Sequence, residues 1–242
     1  TSTKGKVSMF VTGDHMTAVL KNPSSGTMDG VQVSVNGQLQ YTVNNLGLAF
    51  GKTEKTFSGN FEPGLFKGAD VITGSGQNDK LYGYAGNDTI TGRSGNDYAS
   101  GGKDNDSIDG NAGNDNLNGD AGADLLNGGG GLDSLTGGGG KDTFFFNSKA
   151  TTSNLDTITD FKPGKDVIQL DSTVFAGLSK GALSAKSFVQ SNKYDGEKNV
   201  IVYYKSSGKI AYEGNGGTLK DAIPFAKVSG GLGLDNGDFF VV

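Results

Sequence analysis

Nine aspartates stand nine residues apart in one unbroken run: Asp70, Asp79, Asp88, Asp97, Asp106, Asp115, Asp124, Asp133 and Asp142. A carboxylate returning at a fixed interval, each time at the end of a glycine-rich hexapeptide, is a donor pattern for a hard divalent cation. Turns of this kind aim several backbone carbonyls at one point, and one Asp per turn adds charge. The cage is then all oxygen, which suits Ca2+ with its roughly six to eight flexible ligands. Magnesium would need stricter octahedral geometry, and softer metals would call for His or Cys. The chain has one histidine, His15, and no cysteine, so a thiolate metal site and a disulfide framework are excluded.

The elements that must hold these aspartates follow from the rest of the repeat. From Leu65 to Phe145 the chain reads as nine nonapeptides without a gap, with Asp at position six in all of them. Position one is Gly in eight and position four is Gly in seven. Position eight is apolar throughout: Ile72, Leu81, Ile90, Ala99, Ile108, Leu117, Leu126, Leu135 and Phe144. A three-residue strand around position eight sends one side chain inward and its neighbours outward. The six residues before it must reverse the chain, and Gly at positions one, two and four permits the positive φ such a turn needs. Two nonapeptides make one coil, strand–turn–strand–turn, and coils stack at about 4.8 Å, so four and a half coils span roughly 20 Å. A cation would lie between turns two repeats apart, so the nine turns offer seven intervals at most. Leu65, Gln77 and Asp104 stand where the pattern has Gly. The expectation is therefore about five to seven calcium ions, held most weakly at the N-terminal end.

Composition agrees. Glycine numbers 42 in 242 residues, more than twice the ordinary usage of roughly 7%, and half of it lies in residues 65–145. That segment holds twelve Asp against four Lys and one Arg, a net of −7, while the whole chain is −5. An acidic block between nearly neutral flanks argues against nucleic acid as a partner. Without a cation, seven uncompensated charges on so little apolar surface should leave the segment disordered, and binding free energy becomes folding free energy.

These residues resemble the RTX, or haemolysin-type, calcium-binding proteins of Gram-negative bacteria, whose G-G-x-G-x-D-x-U-x motif runs through residues 65–145. The resemblance implies a parallel β-roll with calcium held by the nine position-six aspartates and by carbonyls of positions two and four. Carried across, the position-two carbonyls are those of Tyr84, Arg93, Gly102, Asn111, Asp120 and Gly129. The position-four carbonyls are those of Gly86, Gly95, Asp104, Gly113, Gly122 and Gly131. The stretch from Asp156 to Asp171 resembles the segment after the roll in serralysin-type C-terminal domains and rhizobial RTX proteins. The ending Asp238-Phe239-Phe240-Val241-Val242 resembles their export signal, and it also reads as a last strand. What this implies is export by a type I secretion apparatus to the extracellular side, where calcium folds the repeats.

The flanks read as β. Val31, Val33 and Val35 alternate with polar residues up to Asn36-Gly37, and Leu39, Tyr41 and Val43 alternate after it, which signals a hairpin. Lys6–Thr12, Met16–Lys21, Val200–Tyr204, Ile210–Tyr212 and Phe239–Val242 are strand-like, and Ser184–Ser191 suggests a short helix. The fold class is thus all-β: a parallel β-roll at 65–145, a small β module at 1–64, and a mainly β cap at 146–242. Asp156, Asp160 and Asp166 read as turn and cap carboxylates, or as a further calcium site.

Catalytic constellations are missing. With one histidine there is no H-E-x-x-H helix. Gly177-Leu178-Ser179-Lys180-Gly181 fits G-x-S-x-G only formally, because that motif needs a strand-to-helix elbow and a His behind it. No apolar run long enough to cross a membrane occurs, and no membrane-inserting segment suggests a pore-former. The sequence therefore reads as a secreted, non-enzymatic calcium-binding protein acting in adhesion, at the cell surface or on extracellular polysaccharide. The alternative is the calcium-binding and export portion of a larger secreted hydrolase.

Overall fold

A computed structural model describes residues 68–74, 76–151, 153–193, 196, 198–214 and 221–242, together with the backbone of four strands nearer the N-terminus. Those four are β1 (Ser8–Thr12), β2 (His15–Thr17), β3 (Gly26–Val35) and β4 (Gln38–Phe50), ordered β2-β1-β3-β4 in one sheet. β3 and β4 pair antiparallel from Val35↔Gln38, as the alternation announces, while the expected Asn36-Gly37 turn lies outside the described residues.

Each nonapeptide then contributes one strand. They are β5 (Val71–Thr73), β6 (Lys80–Ala85), β7 (Thr89–Ser94), β8 (Tyr98–Lys103), β9 (Ser107–Ala112), β10 (Asn116–Ala121), β11 (Leu125–Asn127), β12 (Ser134–Thr136) and β13 (Thr143–Phe146). Odd and even repeats form separate parallel sheets, β13-β11-β9-β7-β5 and β12-β10-β8-β6. The repeats form a parallel β-roll. Several strands have six residues where three were expected, because pairing runs on into positions one to three of the next turn, as in Tyr84↔Gly102↔Asp120.

Position eight fills the interior in two facing columns. One runs Leu81↔Ala99↔Leu117↔Leu135↔Ile158, the other Ile90↔Ile108↔Leu126↔Phe144↔Ile168↔Phe239. All of these side chains are buried. Each full burial of a Leu, Ile or Phe stabilises by about 1.5–3 kcal/mol.

Both sheets continue past the repeats. β14 (Asp156–Ile158) extends the even sheet and β15 (Val167–Leu170) the odd one. After β16 (Gly181–Ala182), β17 (Phe188–Gln190), β18 (Val200–Tyr204), β19 (Lys209–Glu213) and β20 (Ile223–Lys227) complete the even sheet as β17-β18-β19-β20-β14. β21 (Phe239–Val241) joins β15 with Phe239 and Val241 buried, so the chain end is a built-in strand. The open end of the roll is closed by aromatic packing. Phe144 meets Phe161 at 6.0 Å, and Phe146 meets Phe225 at 5.1 Å.

One expected element differs. Ser184–Ser191 is not a single short helix: a 3₁₀ turn spans Ala185–Ser187 and a second one begins at Ser191, on either side of β17. Ser184 caps the first turn by accepting from Lys186 N–H at 3.1 Å, a bond that serves a 3₁₀ turn as well as a helix. Pairing of Phe188 and Val189 with Ile201 and Val202 then favours the strand.

Candidate metal centre

The turns stack in two columns, odd repeats on one edge of the roll and even repeats on the other, and the aspartates tie each column together. Asp70 N–H donates to Asp88 Oδ1 at 2.7 Å, and Asp79 N–H to Asp97 Oδ1 at 2.8 Å. The same bond joins Asp88 to Asp106, Asp97 to Asp115, Asp106 to Asp124, Asp115 to Asp133 and Asp124 to Asp142, at 2.8–3.2 Å. One carboxylate oxygen is thereby committed to the turn two repeats earlier.

The other oxygen is not. Oδ2 of Asp88, Asp97, Asp106, Asp115, Asp124, Asp133 and Asp142 is buried without a hydrogen-bond partner. A buried carboxylate oxygen left unsatisfied costs several kcal/mol or takes up a proton or a cation. One such atom belongs to each of the seven turns that accept from a turn two repeats earlier, and this is the strongest feature of the molecule. Asp70 and Asp79 stand at the head of the columns and enter the ladder as N–H donors.

Electrostatics point the same way. Asp88, Asp115 and Asp124 are pushed up to about 6 and Asp106 to about 7. Burial is the main cause, the N–H from the earlier turn opposes it, and neighbouring aspartates reinforce it. Asp97, Asp133 and Asp142 are raised by the same leading cause. The charged form of this array is unfavourable unless positive charge is supplied.

Seven of the carbonyls named from the sequence lie against the turn two repeats later. A Cβ placed on Gly102, Gly129 or Gly138 would run into the carbonyl of Tyr84, Asn111 or Asp120, each at position two of the turn two repeats earlier. At position four, Gly113, Gly122, Gly131 and Gly140 likewise meet the carbonyls of Gly95, Asp104, Gly113 and Gly122. The Asn111 and Asp120 carbonyls also accept Gly130 and Gly139 N–H, both at 2.7 Å, which leaves each a second lone pair. Position two has positive φ whether or not it is glycine: Tyr84 71°, Arg93 79°, Gly102 109°, Asn111 68°, Asp120 69° and Gly129 92°. At position four, Gly86, Gly95, Gly113 and Gly131 share it, and so does Asp104 at 73°, whose Oδ2 accepts Gly86 N–H at 3.2 Å.

Position one requires a correction. Its glycines were expected to supply positive φ, yet Gly83, Gly92, Gly101, Gly110 and Gly119 do not adopt it. They are needed for space. A Cβ there would overlap the carboxylate of the same repeat's own Asp, as Gly101 would with Asp106.

Two features escaped the sequence reading. Position five carries a second ladder, in which Asn78, Asn87, Asn96, Asn105 and Asn114 accept the position-five N–H of the turn two repeats later, at 2.7–2.9 Å. The signal was visible as five consecutive Asn-Asp pairs. The aspartate ladder also outlasts the repeats. Asp133 N–H donates to Asp156 and Asp142 N–H to Asp166, both at 3.2 Å. Asp156 is pushed up to about 8 by burial and then by the Asp133 charge.

No group of three or more His, Cys, Asp or Glu side chains is gathered at one point among the described residues. Each interval instead offers one carboxylate with carbonyls around it, a donor set that fits a calcium ion. Ser179 lies in a loop leading to β16 and not on a strand-to-helix elbow, so it heads no catalytic site of that kind. Among the described residues no helix is long and apolar enough to cross a membrane.

Residues 66–99, 91–126 and 118–148 match the family model described as the RTX calcium-binding nonapeptide repeat (4 copies). No curated protein matches the chain. Among solved structures, the solution structure of the AlgE6R3 subunit from the Azotobacter vinelandii mannuronan C5-epimerase is similar. It is 20% identical, with 79% of this chain and 85% of that one covered and a TM-score of 0.28.

Proposed function

We propose that this chain, whose residues 66–99, 91–126 and 118–148 match the RTX calcium-binding nonapeptide repeat, is a secreted, non-enzymatic calcium-binding protein that folds on calcium outside the cell and acts on extracellular polysaccharide or at the cell surface. The observation that carries the calcium part is the set of seven buried, unpartnered Oδ2 atoms, one to each interval. On this reading seven ions bind. Each is held by one of those aspartates and by carbonyls of positions two and four, with Tyr84, Gly86, Arg93, Gly95, Gly102, Asp104, Asn111, Gly113, Asp120, Gly122, Gly129 and Gly131 as donors. Bound calcium supplies the positive charge that lets the carboxylates stay ionised inside the roll. The organisation into 1–64, 65–145 and 146–242 belongs to the same reading, as do extracellular location and type I export.

The outer face of the even sheet supports the polysaccharide part. Tyr82 is exposed and lies 6.0 Å from Tyr84 and 5.6 Å from Tyr98. Along the same face the register continues through polar side chains, Tyr98↔Asn116↔Ser134 and Tyr82↔Ser100↔Asn118↔Thr136. Tyrosine rings offer apolar faces for the C–H surface of a sugar, and amides and hydroxyls beside them match its hydroxyls.

Retention on immobilised bacterial exopolysaccharide, measured with calcium and with chelator, tests this. Calcium-dependent retention is expected, weakened at least about tenfold in a Tyr82→Ala/Tyr98→Ala double variant if each ring contributes about 1 kcal/mol. Absence of binding under either condition contradicts it.

A further inference from the structure

The odd column closes differently from the way it runs. Its last turn is residues 159–166, between β14 and β15. Asp166 stands where the repeats have their aspartate, and its Oδ1 accepts Asp142 N–H at 3.2 Å. Its Oδ2, the atom left unpartnered in the seven earlier turns, here accepts Lys162 N–H at 2.8 Å. Asp160 brings a second carboxylate, which accepts Gly137 N–H at 2.9 Å and Gly138 N–H at 2.8 Å. The Lys162 ammonium then donates to the Gly138 carbonyl at 2.5 Å and lies 3.3 Å from Asp160 Oδ2. Gly138 is position two of the ninth repeat, the counterpart of Tyr84, Asn111 and Asp120.

We propose that Lys162 takes the place of a calcium ion in this final interval, so that the odd column ends on a cation carried by the chain itself. The inference rests on the reading of the seven earlier intervals as calcium sites. Asp142, Asp160 and Asp166 concentrate negative charge here, and an ammonium is a compact charge with three donors, able to meet a carbonyl and a carboxylate together. Tethered to the turn, it is not removed by a chelator. The closing turn therefore holds its charge balance at calcium levels too low to fill the column above it.

Native mass spectrometry of the full chain in saturating calcium tests the proposal. The unmodified chain is expected to carry seven ions, and Lys162→Met one more, because the Gly138 carbonyl and Asp160 Oδ2, the two partners of the ammonium, are left to a further ion. Lys162→Gln, which keeps a polar side chain, serves as a second neutral variant, with circular dichroism showing that each is folded. An unchanged or lower count in the folded neutral variants overturns the proposal. If neither folds, acetylation of the unmodified protein decides. Lys162 should label several-fold more slowly than exposed Lys103 in the calcium-loaded protein, and equal labelling overturns the proposal. No bound calcium in the unmodified chain would instead overturn the calcium reading itself, a separate outcome.

Discussion

At Gly101 the missing side chain is what admits Asp106. A Cβ at that position would overlap the Oδ2, Cγ and Cβ of the aspartate, which cannot retreat because its Oδ1 holds Asp88 N–H. At Gly76, also in a turn, a Cβ would meet nothing within 4 Å, and the backbone there has no positive φ. The two sites separate space from generic turn chemistry. Gly101→Ala is expected to destabilise the calcium-loaded protein by about 3 kcal/mol or more and to lower its calcium count. Gly76→Ala should stay within about 0.5 kcal/mol of the parent. Thermal unfolding with a metal count reads both, and equal effects would contradict the assignment. At this scale the sequence picks out the aspartates that form the ladder of the repeats and misreads why some glycines are there. Period and residue type identify every ladder aspartate within the repeats, but a glycine chosen for space looks like one chosen for φ. The asparagines of position five stayed hidden because Asn suits any turn, and only the stacking shows that each caps its neighbour two repeats on.

The columns of turns are the elements that respond to pH. Each raised aspartate binds its proton more tightly in the rolled state than in the unfolded chain, so protonation favours the roll. That stabilisation is complete below the ordinary Asp value of about 4 and is lost as pH rises through about 6 to 7. Calcium works in the opposite sense, since it needs the carboxylates ionised. In chelator, strand content should be higher at about pH 5 than at about pH 8, while the calcium concentration at half-folding should rise as pH falls over that range. Circular dichroism across pH checks both, and a flat response in chelator would contradict the burial of these groups. The strands were legible because the nine-residue period fixes which residue points inward. Their lengths were not, since pairing through positions one to three depends on the neighbouring coil. The same holds beyond the repeats: Asp156 and Asp166 continue the ladder although the spacing changes, and only the register of β14 and β15 places them there.

For the whole molecule, two narrow columns of Leu, Ile and Phe form the core of the roll, with both carboxylate ladders alongside them. Such a core is too thin to outweigh the repulsion of ionised, buried aspartates, so the roll and its cations form together. The C-terminal strands extend both sheets and cover the aromatic end, while Lys162 closes one column. The most direct test is far-UV circular dichroism of the full chain at neutral pH, first in chelator and then in millimolar calcium. A largely disordered spectrum is expected in chelator, converting cooperatively to a β spectrum as calcium is added. Identical spectra in the two conditions would contradict it.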